Sequence, residues 1–407
     1  MVRARILLAA ATALFLLPGA SPAATFTVTP LVADRTGVAD GLGFGPAPVL
    51  DPNLVNPWGV SFSPGANGSP FWVSDNGPSL TPPNNSNSTL YRITNGQAVT
   101  QGLVVQMPDS PSNRANITGQ VFNGTGAFGG HIFLFSSESG GIYGFHGSTT
   151  ANVLQAQDAN STVSGPVYKG LALTSVNGVQ TLLATNFSQA RIDAFSNTGF
   201  NVGTHTLGAP TQLNPTLTDT TLPAGFAPFN VAQLSNGKVY VTFAKQDGSP
   251  NNHDDQAGPG NGFVDTLTFD AMGHATFTRL ISQGKLNSPW GLALAPADFP
   301  GFGGDLLVGN FGDGTINAFD PNTGAFLGTL TGDNGNPLMI EGLWSLSFGN
   351  GGKAGPDDRL FFTAGPNGET DGLFGAIDPV PEPTSAALFV LAGAGLWLVR
   401  RRRARAA

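Results

Sequence analysis

The sequence predicts an all-β fold, a six-bladed β-propeller with four-stranded blades. A strand-rich pattern repeats six times along the chain. The chain also combines 56 glycines and 31 prolines with only 11% charged residues, which is typical of short strands joined by tight turns. A single four-stranded sheet leaves its faces uncovered, so repeated sheets of this kind stack around an axis and close a ring.

The first strand of each repeat carries the clearest signal. Residues 56–62 (NPWGVSF) return as residues 288–294 (SPWGLAL), and their glycines, Gly59 and Gly291, lie four periods of 58 residues apart. The other first strands begin near Ile117, Tyr168, Phe229 and Glu341. These spacings give six units.

Each unit continues with a second apolar strand, a glycine-rich turn and an alternating third strand. Residues 305–308, 310–314 and 315–320 show this order, and residues 325–330 add the fourth strand that ends most units. Alternation with a period of two is a strand signature. Two β-sandwiches in tandem are the alternative, which the regular repeat disfavours.

The sixth unit has no fourth strand after Ile377. The segment 25–34, with its strand-like run 25–32, supplies a spare one. We expect it to pair as the outer strand of the last blade, because an open sheet edge invites aggregation. The propeller domain is therefore predicted to span residues 25–379.

The first 24 residues have the layout of a secretory signal peptide. Arg3 and Arg5 precede an apolar stretch, residues 6–17, and a small-residue run follows at residues 20–24. We expect cleavage after Ala23 or Ala24.

Residues 380–407 contain Pro381, Glu382 and Pro383, an uncharged run at 386–399, and an arginine-rich tail. This order resembles the PEP-CTERM sorting signal. The resemblance implies recognition by an exosortase, transient membrane insertion through residues 386–399, and a destination in the cell envelope or outside the cell, reached through an inner-membrane anchor. An ordinary C-terminal membrane anchor is the alternative, and both place the body outside the cytoplasm.

The repeats that open with Pro-Trp-Gly resemble NHL and gluconolactonase-like propellers. The whole body, including residues 260–265, also resembles a bacterial propeller family found with PEP-CTERM signals. Membership of that bacterial family implies a propeller and no established activity.

Charge and cysteine content exclude several classes of function. All 26 acidic residues lie in the body, residues 25–383, against 11 of the 18 basic residues, which leaves a net charge of −15. Nucleic-acid binding needs basic patches, so we expect none. The chain has no cysteine, which excludes disulfides, thiol nucleophiles and thiolate metal sites.

A polar insertion separates the second and third strands of blade four. It contains Asp247, His253, Asp254 and Asp255 on a glycine-rich loop. Hard oxygen ligands on such a loop suit Ca²⁺, although the spacing differs from an EF-hand. A contact with a protein or glycan and a merely solvated loop are the alternatives.

The second candidate site is one mouth of the central channel, where residues that precede the first strands converge. In gluconolactonase-like propellers a glutamate and asparagines hold a divalent cation there. Glu341 resembles that glutamate, and Asn56, Asn230 and Asn287 resemble the asparagines. The aspartate that serves as base in those enzymes has no counterpart, and the alternative is that these side chains, with Lys169, cap strands and bind water.

Other residues receive structural interpretations. We expect the recurrent Trp58, Trp290 and Trp344 to pack between blades. The remaining histidines fall in different units without ligand spacing: His131, His146, His205 and His274.

No complete catalytic set is visible, so no catalytic residue is assigned. The sequence favours an exported propeller that acts as a binding or structural protein of the envelope or exopolysaccharide matrix, with an exosortase and a glycan or envelope protein as partners. A calcium-dependent, lactonase-like hydrolase that uses the channel mouth is the alternative function.

Overall fold

The computed structural model describes residues 24–80, 85–108, 114–155, 165–210 and 218–380. Their strands form six separate antiparallel sheets in chain order around a central axis, and inner strands contact the inner strands of the next sheet. The predicted six-bladed β-propeller is confirmed. The predicted signal peptide, apart from Ala24, and the predicted sorting motif Pro381, Glu382 and Pro383 lie outside the described residues.

Blades one to three follow the predicted order. Blade one contains β3 (Pro57–Ser61), β4 (Phe71–Asp75), β5 (Asn87–Thr94) and β6 (Gln97–Thr100), with β7 (Val105–Gln106) also paired to β5. Blade two contains β8 (Ile117–Phe122), β9 (Phe133–Ser137), β10 (Ile142–Phe145) and β11 (Asn152–Gln155). Blade three has three strands within the described part of the chain, β12 (Tyr168–Val176), β13 (Val179–Asn186) and β14 (Arg191–Ser196).

Blades four to six complete the ring. Blade four contains β15 (Phe226–Gln233), β16 (Val239–Lys245), β17 (Gly262–Phe269) and β18 (Ala275–Ser282). Blade five contains β19 (Pro289–Leu294), β20 (Leu306–Asn310), β21 (Ile316–Phe319) and β22 (Phe326–Thr329). Blade six contains β23 (Leu343–Phe348), β24 (Leu360–Ala364), β25 (Leu373–Pro379) and two strands from the N-terminal part, β1 (Phe26–Ala33) and β2 (Val49–Leu50).

Within the described parts of the chain, helical structure is confined to short turns. Two four-residue α-helices, α1 (Val38–Gly41) and α2 (Pro366–Glu369), and two 3₁₀ turns (Phe128–Gly130 and Asn197–Gly199) lie between strands of the described residues. No helix in these parts of the chain is long and apolar enough to cross a membrane.

The N-terminal strand closes the ring as predicted. β1 pairs antiparallel with β25, from Phe26 opposite Pro379 to Ala33 opposite Leu373. Its buried face places Leu31 in the core shared by blades six and one, where that side chain is fully buried. Because β1 pairs along β25, it covers the edge that the third strand of blade six would otherwise expose.

All six inner strands contain a register shift near their start. A bulge of this kind re-aims a side chain. The residues at the shift are Trp58, Thr118, Lys169, Phe229, Trp290 and Trp344. The four aromatic residues among these six, Trp58, Phe229, Trp290 and Trp344, belong to one buried cluster.

This cluster corrects the expectation that the tryptophans pack between blades. Trp58 stacks on Trp344 with ring centroids 3.5 Å apart, and Trp290 meets both rings edge-on. Phe311 covers the other face of Trp344 at 4.0 Å. Since these residues come from blades one, five and six, the aromatic rings meet across the axis and form a plug, which we call the aromatic plug.

A glycine follows four of the six residues at the register shifts, and close backbone contacts between the inner strands explain it. A Cβ on Gly59 would lie 2.6 Å from the Thr118 carbonyl oxygen, and one on Gly119 would lie 2.5 Å from the Leu171 nitrogen. Side chains also bridge blades: Thr363 Oγ1 donates to the Trp58 carbonyl at 2.6 Å. Small residues at this level therefore let the inner strands approach closely enough to narrow the channel.

Candidate functional site

The candidate site lies at the mouth where the inner strands begin. Asn56 and Ser288 precede inner strands and adopt left-handed backbone conformations, with φ near +46°. Residues that directly follow the second strands reach the same mouth, because the two strands are antiparallel. Asn76 and Glu138 occupy this position in blades one and two.

Lys169 is the charged residue among the six that lie at the register shifts of the inner strands. Its side chain is only 2% exposed and forms an ion pair with Glu138, whose side chain is 9% exposed. The Lys169 ammonium also donates to Asp254 Oδ1 at 3.3 Å and lies 5.0 Å from the centroid of the Trp58 ring. Two carboxylates and an indole face therefore surround this buried cation.

A chain of amide side chains links Glu138 to blade six. Asn76 Nδ2 donates to Glu138 Oε2 at 2.9 Å, and Asn56 Nδ2 donates to Asn76 Oδ1 at 3.3 Å and to Glu369 Oε2 at 2.8 Å. Asn56 Oδ1 accepts from Trp344 Nε1 at 3.1 Å, which anchors the amides to the aromatic plug. We call this group, together with Lys169, His253 and Asp254, the polar mouth.

The insertion in blade four supplies the outer part of the polar mouth. The Asp247 nitrogen donates to the Asp254 carbonyl at 2.9 Å, and Gln246 bridges to Asp255, so the loop returns on itself. His253 Nδ1 lies 2.8 Å from Asp254 Oδ1. The structure therefore brings two of the four predicted loop residues, His253 and Asp254, into the polar mouth, and a third, Asp255, lies beside it.

Protonation at the polar mouth follows from burial and neighbouring charges. Burial opposes the charge on Lys169, but Glu138 and Asp254 outweigh it and raise the lysine pKa. The hydrogen bond to Asp254 raises the pKa of His253. Burial also opposes the charge on Asp254, but His253 and Lys169 lower its pKa. Burial, followed by the Glu138 carboxylate, raises the pKa of Glu369 to about 7. The mouth thus holds groups that titrate near neutral pH beside groups that stay charged.

Asp255 lies beside the polar mouth, next to the Ser288 side chain. Burial raises the pKa of the Asp255 carboxyl, and its contact with the Ser288 hydroxyl opposes part of that rise. Asp255 is the third predicted loop residue near the axis, whereas the carboxylate of Asp247 accepts from the Ser249 nitrogen on the exposed turn.

The four predicted mouth residues do not meet at one point. Asn56 belongs to the polar mouth, but Asn230 lies deeper, where its Nδ2 donates to the Trp290 carbonyl at 2.7 Å. Asn287 contacts Asp313 and the Gly258 nitrogen on the blade-five side. Glu341 is exposed and accepts from the Asn367 nitrogen at 2.9 Å.

A group suited to a metal ion does occur at the mouth. One ligand atom each from Glu138, His253 and Asp254 lie within 4.8 Å of one another. The Lys169 ammonium contacts two of these three residues, so a divalent ion would meet a buried positive charge there. Calcium binding at the blade-four loop remains a prediction.

Sequence reasoning missed Glu138, Asn76 and Glu369. The first two could have been found from strand order, because the turn after each second strand faces the mouth. Glu369 had no such signal. It lies in a turn in which Asn367, Gly368 and Glu369 all have positive φ values, between +57° and +65°, and that local geometry turns its carboxyl toward Asn56.

The structure also gathers three histidines that the sequence appeared to scatter. The buried His131 lies with its ring centroid 5.5 Å from those of His146 and His205. Its Nδ1 contacts the Phe128 carbonyl and its Nε2 contacts Asn152 Nδ2, so both ring nitrogens have partners. His131 therefore belongs to a cluster of three histidines and is not isolated as the sequence had suggested.

Comparisons with known proteins give relatives along most of the chain. No protein-family model matches it. Uncharacterized protein R648 of Acanthamoeba polyphaga mimivirus is 30% identical over 364 residues, which cover 87% of this chain and 80% of the viral protein. The chain belongs to the same family as R648. Uncharacterized protein L690 of the same virus is 28% identical over 369 residues, covering 87% of this chain and 86% of L690.

Solved structures agree on the architecture. The GH93 alpha-L-arabinofuranosidase of Fusarium graminearum, in complex with arabinobiose, aligns with a TM-score of 0.50 over 88% of this chain and 97% of the enzyme. The two sequences are 12% identical. This likeness shows the propeller fold alone.

Proposed function

We propose that the protein is an exported binding propeller, sorted by an exosortase through its PEP-CTERM-like signal and kept in the cell envelope or exopolysaccharide matrix. In this proposal the polar mouth holds a glycan. The observation that carries the proposal is the composition of that mouth: carboxylate, amide and imidazole groups converge above the aromatic plug, which closes the channel beneath them.

Hydroxyl-rich ligands match this chemistry. Each sugar hydroxyl both donates and accepts hydrogen bonds, and the mouth offers carboxylate acceptors together with histidine and amide donors. The side chains of His253 and Asp254 are 31% and 64% exposed, and Glu369 is also partly exposed, so these three can reach a ligand. Because carboxylates dominate the mouth and the body carries a net charge of −15, a neutral or amino-sugar glycan fits better than an acidic one.

Glycan binding is tested with extracellular polysaccharide from the source cells, immobilised and titrated with the purified propeller body. We expect His253→Gln combined with Asp254→Asn to weaken binding at least tenfold. The matched control is His274→Gln with Asp270→Asn. That pair also joins a histidine Nδ1 to an aspartate oxygen, at 3.0 Å, but it lies on the outer hairpin of blade four, away from the mouth. Equal losses in both double variants, or no loss in the first, would refute a glycan site at the mouth.

A calcium-dependent hydrolase of the lactonase type is the second candidate. The cluster of Glu138, His253 and Asp254 favours it, because three ligand atoms already lie close together. If Ca²⁺ binds only the folded protein, the thermal midpoint rises with its concentration by mass action. Asp254→Asn with Asp255→Asn should abolish that rise if the blade-four loop holds the ion, whereas loss in Glu341→Gln alone would place the ion at Glu341.

A further inference from the structure

The opposite mouth of the channel has a different chemistry. A cavity of about 1100 Å³ opens where the six inner strands end. Each blade contributes one partly exposed apolar side chain to its lining: Phe62, Phe122, Leu173, Leu234, Leu294 and Phe348. We call this cavity the apolar funnel. The aromatic plug separates it from the polar mouth, so the two ends of the channel are independent sites.

The funnel carries almost no charge. Asp357 is the single charged residue among the described residues that line it. Its volume is slightly above the range of about 300–1,000 Å³ for pockets that hold drug-sized ligands, and such pockets are mostly apolar. A charged ligand would lose much of its hydration here and would find Asp357 as the single charged partner among the described lining residues, so the funnel favours uncharged ligands.

The narrow end of the funnel offers few free hydrogen-bonding groups. It continues into a space of about 90 Å³ lined by Gln120, Asn230 and Trp290. Gln120 Nε2 already donates to the Gly59 and Trp72 carbonyls, and its Oε1 accepts from Ser61. Asn230 uses its amide on the Trp290 carbonyl and on the Val231 nitrogen. The protein has therefore used these polar groups to join its own blades.

We propose that the apolar funnel binds an uncharged, apolar small molecule with an aromatic or alkyl body. Binding draws on removal of apolar surface from water, with the six side chains packed around the ligand. This site is separate from the glycan site at the polar mouth and goes beyond it. Each can fail without the other.

The proposal is tested with the uncharged fluorescent probe N-phenyl-1-naphthylamine and the purified propeller body. We expect saturable binding near one probe per chain. Leu173→Asn with Leu294→Asn should weaken it at least tenfold, since both side chains line the funnel. The control is Leu327→Asn, the same substitution at a leucine that is 50% exposed on the outer strand of blade five, and it should leave binding unchanged.

Three results would overturn the proposal: non-saturable probe binding, equal loss in the control, or unchanged affinity in the double variant. Sedimentation tests a competing occupant, because a dimer that the double variant abolishes would assign the funnel to a second copy of the chain. If the double variant does not fold, methyl NMR of the wild type with and without the probe shows whether the probe binds in the funnel. Probe-induced shifts confined to methyl groups of the funnel lining, Leu173, Leu234 and Leu294 among them, support the site, and shifts confined to other parts of the protein refute it.

Discussion

Replacing Lys169 by methionine should be among the more costly single changes in this protein. The substitution keeps most of the side-chain volume but leaves Glu138, 9% exposed, as an uncompensated charge against the aromatic plug. Removing one partner of a buried ion pair typically costs about 3–5 kcal/mol. The contact with Asp254 adds little, because that side chain is 64% exposed and solvent screens it, so we count less than about 1 kcal/mol there.

Equilibrium urea denaturation at pH 7 measures this cost. Lys169→Met should lower the free energy of unfolding by about 3–5 kcal/mol. Adding Glu138→Gln should recover a large part of it, because the amide removes the unpaired charge and keeps its contact with Asn76. His274→Gln, which changes a contact between side chains that are 47% and 46% exposed, serves as the comparison and should cost less. A loss below about 1 kcal/mol for Lys169→Met, or no recovery in the double variant, would show that this ion pair does not stabilise the mouth.

Three further predictions concern titration, closure and sorting. Glu369 has a pKa of about 7 in the folded protein, above its usual 4.5, so its contribution to stability is full below about pH 4.5 and is lost as the pH rises through 7. Glu369→Gln should remove up to about 3 kcal/mol of the pH dependence of the free energy of unfolding, measured between pH 5 and 8. The same pH dependence in the variant and the wild type would contradict this prediction. Leu31→Ala, in the closing strand, should cost about 2–5 kcal/mol, whereas Thr27→Ala on the exposed face of that strand should cost less than about 0.5 kcal/mol by the same assay. Replacing Pro381, Glu382 and Pro383 by alanine should leave export intact and prevent C-terminal processing, measured by the mass of the exported protein. If the variant is processed like the wild type, the C-terminal segment acts only as a passive anchor.

The closing strand shows how much of the fold can be predicted by counting the strands in each repeat. The missing fourth strand after Ile377 and the spare strand at residues 25–32 were enough to predict the pairing that β1 and β25 adopt. The prediction succeeded because each blade is a local unit and an unpaired edge is costly.

The polar mouth shows the limit of the same reasoning. Lys169 was placed at the mouth by its position in the repeat, but its partners Glu138 and Asp254 lie 31 and 85 residues away along the chain. The sequence instead grouped Asn56, Asn230, Asn287 and Glu341, which the structure distributes over separate contacts. Repeat position predicts which end of the channel a residue faces, but not its depth or its direction.

The sequence by itself determined the number of blades, the order of their strands and the segment that completes the ring, because alternation and turn residues act within each unit. Only the tertiary structure decided what fills the channel. Bulges in the six inner strands turn one side chain per blade toward the axis, and their contacts depend on all six blades being present. The aromatic plug, the buried Lys169 and the contrast between the two mouths arise from ring closure, which brings distant side chains together and excludes water from between them.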